Sequence, residues 1–241
     1  MSSLSGKVAV VTGGSRGIGY AIARALRRQG AVVAMTATDE GRVKAAAGEL
    51  AREGDGPDVI PLRADVRRHD EVAAAFSTLA ARAGGIDILI NNAGVGLFRP
   101  VADMSPAEWN RILETNVTGV FNCTHAVLPH LRSRGGGWII SISSLSGTNP
   151  FASGAAYCAS KAAVNAFSEA LMQEVRHEGI RVAYVLPGSV DTTFGGSGRD
   201  KADWALAPDD IAHVIVDLLD HPARSLPSRV EIRPAKPPRK G

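Results

Sequence analysis

Val8-Ala9-Val10-Val11-Thr12 runs without a break into Gly13-Gly14-Ser15-Arg16-Gly17-Ile18-Gly19, and from there into Tyr20-Ala21-Ile22-Ala23-Arg24-Ala25-Leu26. The opening run is apolar on consecutive positions, which marks a strand buried on both faces, as in a parallel sheet covered by helices. The closing run carries helical periodicity. Glycines between the two let backbone N–H groups approach a pyrophosphate at the positive end of the helix dipole.

The same alternation continues outward. Lys7 to Thr12, Val32 to Thr36, Val59 to Leu62, Ile86 to Ile90, Trp138 to Ser143 and Arg181 to Leu186 read as strands. Between them Ile18 to Gln29, Glu40 to Arg52, Asp70 to Arg82, Pro106 to Arg132 and Ala155 to Glu178 are long enough for helices. Beyond Leu186 comes a glycine-rich stretch (Gly195, Gly196, Gly198), expected to be a mobile loop. A helix near Pro208 to Leu219 and an edge strand at Arg229-Val230-Glu231-Ile232-Arg233 follow it. Strand and helix in alternation predict a single-domain α/β fold over 1–241: a doubly wound, mostly parallel seven-stranded sheet with helices on both faces.

The 241 residues are 45% apolar and 21% charged, near the globular average. No apolar run approaches the roughly 18 residues of a membrane span, and Met1 opens no charged-then-apolar leader. Two cysteines, Cys123 and Cys158, make no disulfide framework, so a reducing, cytoplasmic setting is expected. Lys and Arg number 27 against 24 Asp and Glu. Four of those cations, Arg233, Lys236, Arg239 and Lys240, sit in the proline-rich end with Pro234, Pro237 and Pro238. Without them the signs balance, which argues against a nucleic-acid face. The tail at about 234–241 reads as a solvated terminus. None of the six histidines pairs at i, i+4 or joins a Cys or Asp cluster, so no protein-built metal site is expected.

Two other motifs overlap the glycine loop. Gly14 to Gly19 has the first spacing of a nucleotide triphosphate loop, but Tyr20 and Ala21 stand where Lys and Ser/Thr would hold phosphate and magnesium. Gly13 to Gly17 matches the G-x-S-x-G nucleophile elbow around Ser15, yet only one strand precedes it to supply an oxyanion loop. Further along, Tyr157 and Lys161 leave the same helix face at i, i+4. A free tyrosine titrates near about 10, and an adjacent cation would lower that value and make the pair a general acid/base.

At this point the chain resembles the short-chain dehydrogenase/reductase family. The resemblance rests on Thr-Gly-x-x-x-Gly-x-Gly at Thr12 to Gly19, Asn-Asn-Ala-Gly at Asn91 to Gly94, and Tyr-x-x-x-Lys at Tyr157 to Lys161. It is extended by Ser144, by Asn116 within Thr115-Asn116-Val117, and by Pro187-Gly188-Ser189-Val190-Asp191-Thr192. It implies that Tyr157 exchanges a proton with a carbonyl or alcohol oxygen and that Lys161 lowers the tyrosine pKa and binds the nicotinamide ribose. It also implies that Ser144 polarises the carbonyl and that Asn116 holds a water in a proton relay. The implied cofactor contacts are Gly13, Ser15, Arg16, Gly17, Ile18 and Gly19, then Thr38, Asp65, Val66, Asn92, Ala93 and Gly94. Tyr157, Lys161, Pro187, Gly188, Val190 and Thr192 complete the set, while Asn91 is implied to stabilise the central sheet.

The expected reaction is reduction of a ketone to a secondary alcohol, or its reverse; the alternatives are a 3-oxoacyl-carrier-protein reductase of fatty-acid type and, behind it, a dinucleotide-sensing protein without catalysis, since this fold can bind without catalysing. NADP(H) is the expected cofactor, with NAD(H) as the alternative. Ala37 stands where an acidic residue would accept from a ribose 2′-hydroxyl, and Arg16 can pair with a 2′-phosphate. Asp39 is the complication, because a shift of two residues at the strand end would bring it to the ribose. The glycine loop is similar to that of 3-oxoacyl-carrier-protein reductases, but the chain ends with Glu231-Ile232-Arg233-Pro234 in place of their Val-Asp-Gly-Gly. A short substrate loop is placed at about Thr193 to Ala205, with Phe194 and Trp204. Association into a homotetramer or homodimer is expected through the segments 106–132 and 155–178. These carry Val117, Val120, Phe121 and Val127, and Val164, Phe167, Leu171 and Val175, on more than one face.

Overall fold

Seven strands form one sheet in the order β3-β2-β1-β4-β5-β6-β7, and every neighbouring pair is parallel. The computed structural model describes residues 4–54, 56–196 and 203–237. Gly198 of the glycine-rich stretch and Pro238, Arg239 and Lys240 of the tail lie outside the described residues, as does 197–202 of the substrate loop. The strands are β1 (Val8–Thr12), β2 (Val32–Ala37), β3 (Val59–Arg63), β4 (Ile88–Asn91), β5 (Gly137–Ile142), β6 (Ile180–Pro187) and β7 (Arg229–Ile232). The helices are α1 (Gly17–Arg28), α2 (Glu40–Arg52), α3 (His69–Ala83), α4 (Pro106–Leu113), α5 (Gly119–Ser133), α6 (Ala155–Val175) and α7 (Pro208–Leu219).

The consecutive apolar run of β1 serves both faces of the sheet. Ala9 and Val11 point into a core layer with Ile22, Leu26, Val43, Leu50, Ile211 and Ile215, from α1, α2 and α7. Val8 and Val10 point into the opposite layer with Phe76, Leu79, Val127, Leu131, Leu171 and Val175, from α3, α5 and α6. Side chains alternate across a strand, so a run with no polar member is what two covered faces require. Pro61 sits in β3, at the sheet edge, where a missing N–H breaks no ladder on the open side. At the other edge Arg229 and Glu231 of β7 face out while Val230 and Ile232 are half-buried.

Two sequence expectations need correction. The segment Pro106 to Arg132 is two helices, because the backbone opens into a π turn at Glu114–Thr118 between α4 and α5. Gly119 at its end packs on Val66, where a Cβ would lie 2.7 Å from Cγ2. Likewise the two-faced apolar pattern of the long helices is mostly absorbed inside the subunit. Val120, Val127, Val164, Leu171 and Val175 are buried and Val117 and Phe167 half-buried, whereas Phe121 remains 50% exposed.

Candidate active site

The loops after β1 to β6 meet at the carboxyl ends of the strands, in a cleft of about 1270 Å³ centred where the strand order reverses between β1 and β4. In open α/β sheets this switch point is where the two loops part and leave room for a ligand.

One end of the cleft is built from backbone. Gly13 and Gly17 adopt left-handed φ of 62° and 55°, open to glycine at little cost. A Cβ on Gly13 would come within 2.9 Å of Ala93 Cα, so the bare backbone is what lets the β1 and β4 loops close on each other. Thr12 staples them: its Oγ1 accepts from Asn92 N and Ala93 N, both at 3.0 Å, and donates to Ile90 O at 3.3 Å. The Asn92 side chain donates to Thr12 O at 2.8 Å and Gly13 O at 3.1 Å. Gly19 is glycine for the same staple, since its Cβ would collide with Asn92 Nδ2 and Gly13 O. Helix α1 therefore starts at the cleft, with no side-chain cap and no acidic residue in its first turn. Its free N–H groups and dipole favour an anion there.

Beside this end, Arg16, Ala37, Thr38 and Arg42 line the cleft. Asp39 does not. It caps α2, its Oδ1 accepting from Arg42 N at 2.8 Å. Arg42 went unnoticed in the sequence; an arginine three residues into the helix after β2 was the available signal. Asp65 lines the cleft, but Arg67 already holds its carboxylate through Nε at 3.0 Å and Nη2 at 2.6 Å, keeping it below the usual carboxylate range.

At the other end stand Ser144, Tyr157 and Lys161. Ser144 follows β5 and caps a short 3₁₀ turn (Leu145–Gly147), its Oγ accepting from Ser146 N at 3.1 Å. The hydroxyl thus serves both as a cap and as part of the cleft wall. Tyr157 and Lys161 share a face of the first turns of α6, and Lys161 Nζ lies 5.8 Å from the phenol ring centre. Both are buried. Lys161 Nζ donates to Ile142 O at 2.8 Å.

The expected direction of the tyrosine shift is not what this environment produces. Burial pushes the Tyr157 phenol up to about 12, the neighbouring Ser144 hydroxyl pulling the other way. The same burial pushes the Lys161 ammonium down to about 8. Desolvation disfavours each charged form and is the largest cause of both shifts.

Every residue of the expected site lines the cleft except Asn116. Asn116 lies behind the wall, 1% exposed, in the π turn. Its Oδ1 accepts from Val95 N at 2.8 Å, and its Nδ2 donates to Val95 O and Ser160 Oγ, both at 3.0 Å. With both amide protons taken, the side chain ties the β4 loop to α6. Asn91 lies off the cleft, in β4, donating to Thr124 Oγ1 at 3.3 Å. Phe98, Phe151, Arg67, Arg111, Arg233, Pro234 and Pro237 line the cleft without having been singled out as site residues. The last three bring the described part of the supposedly free tail against it. No histidine lines the cleft among the described residues, which removes the base that a Ser15 hydrolase would need.

Comparison with known proteins agrees with this geometry. The family model for short chain dehydrogenases matches residues 7–203. An uncharacterised oxidoreductase of Staphylococcus saprophyticus is 35% identical over 97% of this chain and 100% of its own. Among solved structures, an alcohol dehydrogenase of the archaeon Thermococcus sibiricus, complexed with 5-hydroxy-NADP, superposes with a TM-score of 0.89 at 32% identity. It covers 97% of this chain and 99% of its own. A metagenomic short-chain oxidoreductase in complex with NADP gives 0.85 at 40% identity over 98% and 100%. The stapled glycine loop, the Ser144-Tyr157-Lys161 wall and these matches lead to one conclusion: the chain is an oxidoreductase of the short-chain dehydrogenase family.

Proposed function

We propose that the protein is an NADP(H)-dependent reductase that converts a ketone to a secondary alcohol, or runs the reverse oxidation, in a reducing compartment such as the cytoplasm. The observation that carries this reading is the convergence of Ser144, Tyr157 and Lys161 on one wall of a cleft that begins at a bare, uncapped helix N-terminus. NADP(H) suits the other end: Arg16, Arg42 and Thr38 can receive a 2′-phosphate, and the carboxylate of Asp39 is turned into a helix cap. Two similar structures hold NADP or its 5-hydroxy derivative. The two free thiols, Cys123 and Cys158, are buried, which suits a reducing setting.

When bound, the dinucleotide supplies or accepts the hydride. The chain does the rest. Ser144 Oγ donates a hydrogen bond to the substrate oxygen and fixes its position, and Tyr157 Oη gives that oxygen its proton during reduction. The buried tyrosine stays protonated at neutral pH, the state a proton donor needs. Lys161, held by Ile142 O beside the phenol, places a cation where phenolate forms and lowers the cost of losing the proton. Asn116 keeps the β4 loop and α6 at fixed separation.

Tyr157→Phe tests the assignment. Turnover of an accepted ketone falls by roughly 10²–10⁴-fold while NADPH still binds. Unchanged turnover would overturn the role given to Tyr157. A panel of ketones, aldoses, hydroxy acids and 3-oxoacyl thioesters with NADPH identifies the substrate class.

A further inference from the structure

Three phenylalanine rings cluster beside the Tyr157 ring, two of them against it and the third against Phe98. Phe98 comes from the loop after β4, Phe151 from the loop before α6 and Phe194 from the turn after β6, and all three line the cleft. The Phe98 ring meets Tyr157 edge-on, with centroids 5.5 Å apart. Phe151 lies 5.5 Å from Phe98, and Phe194 lies 5.7 Å from Tyr157. The three are 44%, 45% and 39% exposed, and they are half of the six large apolar side chains left so exposed among the described residues. Clustering of that kind at the mouth of a concave site marks a surface that a ligand covers.

The backbone fixes the rings in advance. Arg99 N donates to Ser153 O at 2.7 Å and ties the Phe98 loop to the Phe151 loop. Ser153 is held at φ +63°, the one non-glycine residue with positive φ among the described residues. A serine in that conformation costs energy that the surrounding contacts must offset, and such residues concentrate at ligand sites. A Cβ on Gly96 would lie 2.5 Å from Phe194, on Gly154 2.6 Å from Phe151 and on Gly195 2.8 Å from Phe98, so each ring is seated on bare backbone. Asp65, at the far end after β3, is the one carboxylate lining the cleft among the described residues. The substrate end thus offers flat apolar faces beside the Ser144 and Tyr157 hydroxyls.

From this we infer that the substrate is a ketone, or the matching secondary alcohol, bearing an aryl or comparably flat apolar group that packs on Phe98, Phe151 and Phe194. The inference rests on the oxidoreductase reading of the site. In the reduction the carbonyl carbon gains a hydride from NADPH, which is oxidised to NADP⁺. The carbonyl oxygen gains the Tyr157 proton, and the phenol is reprotonated from solvent.

Two measurements test the inference. With NADPH, kcat/KM for acetophenone exceeds that for acetone and for hydroxyacetone by roughly tenfold or more, and Phe98→Ala, Phe151→Ala or Phe194→Ala each shrinks that ratio several-fold, mainly through KM. The corresponding Leu variants recover part of it. Acetone or hydroxyacetone used as well as acetophenone, or Ala variants that leave the ratio unchanged, would overturn it. Saturation-transfer NMR of 1-phenylethanol on the NADPH-loaded protein gives a readout free of turnover, since both partners are already reduced. Transfer to the phenyl protons, lost in Phe98→Ala, supports the aromatic wall; no transfer overturns it. Transfer without turnover of any ketone leaves the wall standing and overturns the role of Tyr157 instead.

Discussion

Burial holds Lys161 down at about 8 and Tyr157 up at about 12, and these opposed shifts make stability depend on pH in opposite directions. The folded Lys161 loses its proton well below the ordinary 10.5, so between those values the unfolded chain binds more protons and stability rises with pH. For Tyr157 the folded form keeps a proton that the unfolded chain has released, so stability falls from 10.0 to about 12. Urea unfolding of the cofactor-free protein therefore shows the Lys161 contribution as a gain of about 2 kcal/mol between about pH 7.5 and pH 9.5. Lys161→Met removes that gain; a variant with the parent's slope would refute the assignment. That Ser144, Tyr157 and Lys161 would share one cleft wall was legible through the resemblance, which rests on several motifs in a fixed order, the i, i+4 spacing of a tyrosine and a lysine being common on helix surfaces. The sign of the tyrosine shift was not, because it depends on what covers the phenol: Phe98 and Phe194, from loops remote in sequence.

Asp39 and Asn116 each do their work through the element that holds them. Asp39→Asn keeps a capping side chain, so stability changes little and the NADPH preference persists. Ala37→Asp combined with Arg16→Ala moves kcat/KM toward NADH, and a parent that already prefers NADH would return Asp39 to the ribose. Asn116→Ala takes away the side-chain partner of Val95 N and Val95 O, leaves Ser160 Oγ with only its bond to Tyr157 O, and lowers unfolding free energy by roughly 2–3 kcal/mol, read from urea midpoints at constant slope. An unchanged midpoint would show that the tie between the β4 loop and α6 is not needed. Helical periodicity over 106–132 could not announce the π turn, because apolar residues keep facing the sheet on both sides of one wide turn. At its end Gly119 approaches Val66, a contact between segments more than fifty residues apart that periodicity does not register.

Phe121 is the one residue of the two-faced helix pattern that counts as exposed, Val117 and Phe167 being half-buried, and it is the handle for testing association. Light scattering at micromolar concentration gives a mass above the 25.2 kDa of one chain, and Phe121→Glu lowers it; a monomeric parent would refute the association. Sheet architecture was legible because buried parallel strands leave an unmistakable apolar run. β7 was not fixed as parallel, since an alternating edge strand fits either direction, and its register, Tyr184 opposite Arg229, is set by α7 and the chain leading out of it. That arrangement bears on how the molecule comes into being at the ribosome. β1 lies between β2 and β4, and α1 packs on α7, bound by Arg24 to Asp209 at 2.6 Å. The face that α1 turns toward α7 stays uncovered during synthesis until α7 itself has emerged. Truncation before Pro208 bares that face of α1, and the expected outcome is a loss of soluble protein with increased binding of an apolar dye relative to the parent; a soluble, dye-silent truncation would show that α1 needs no such cover.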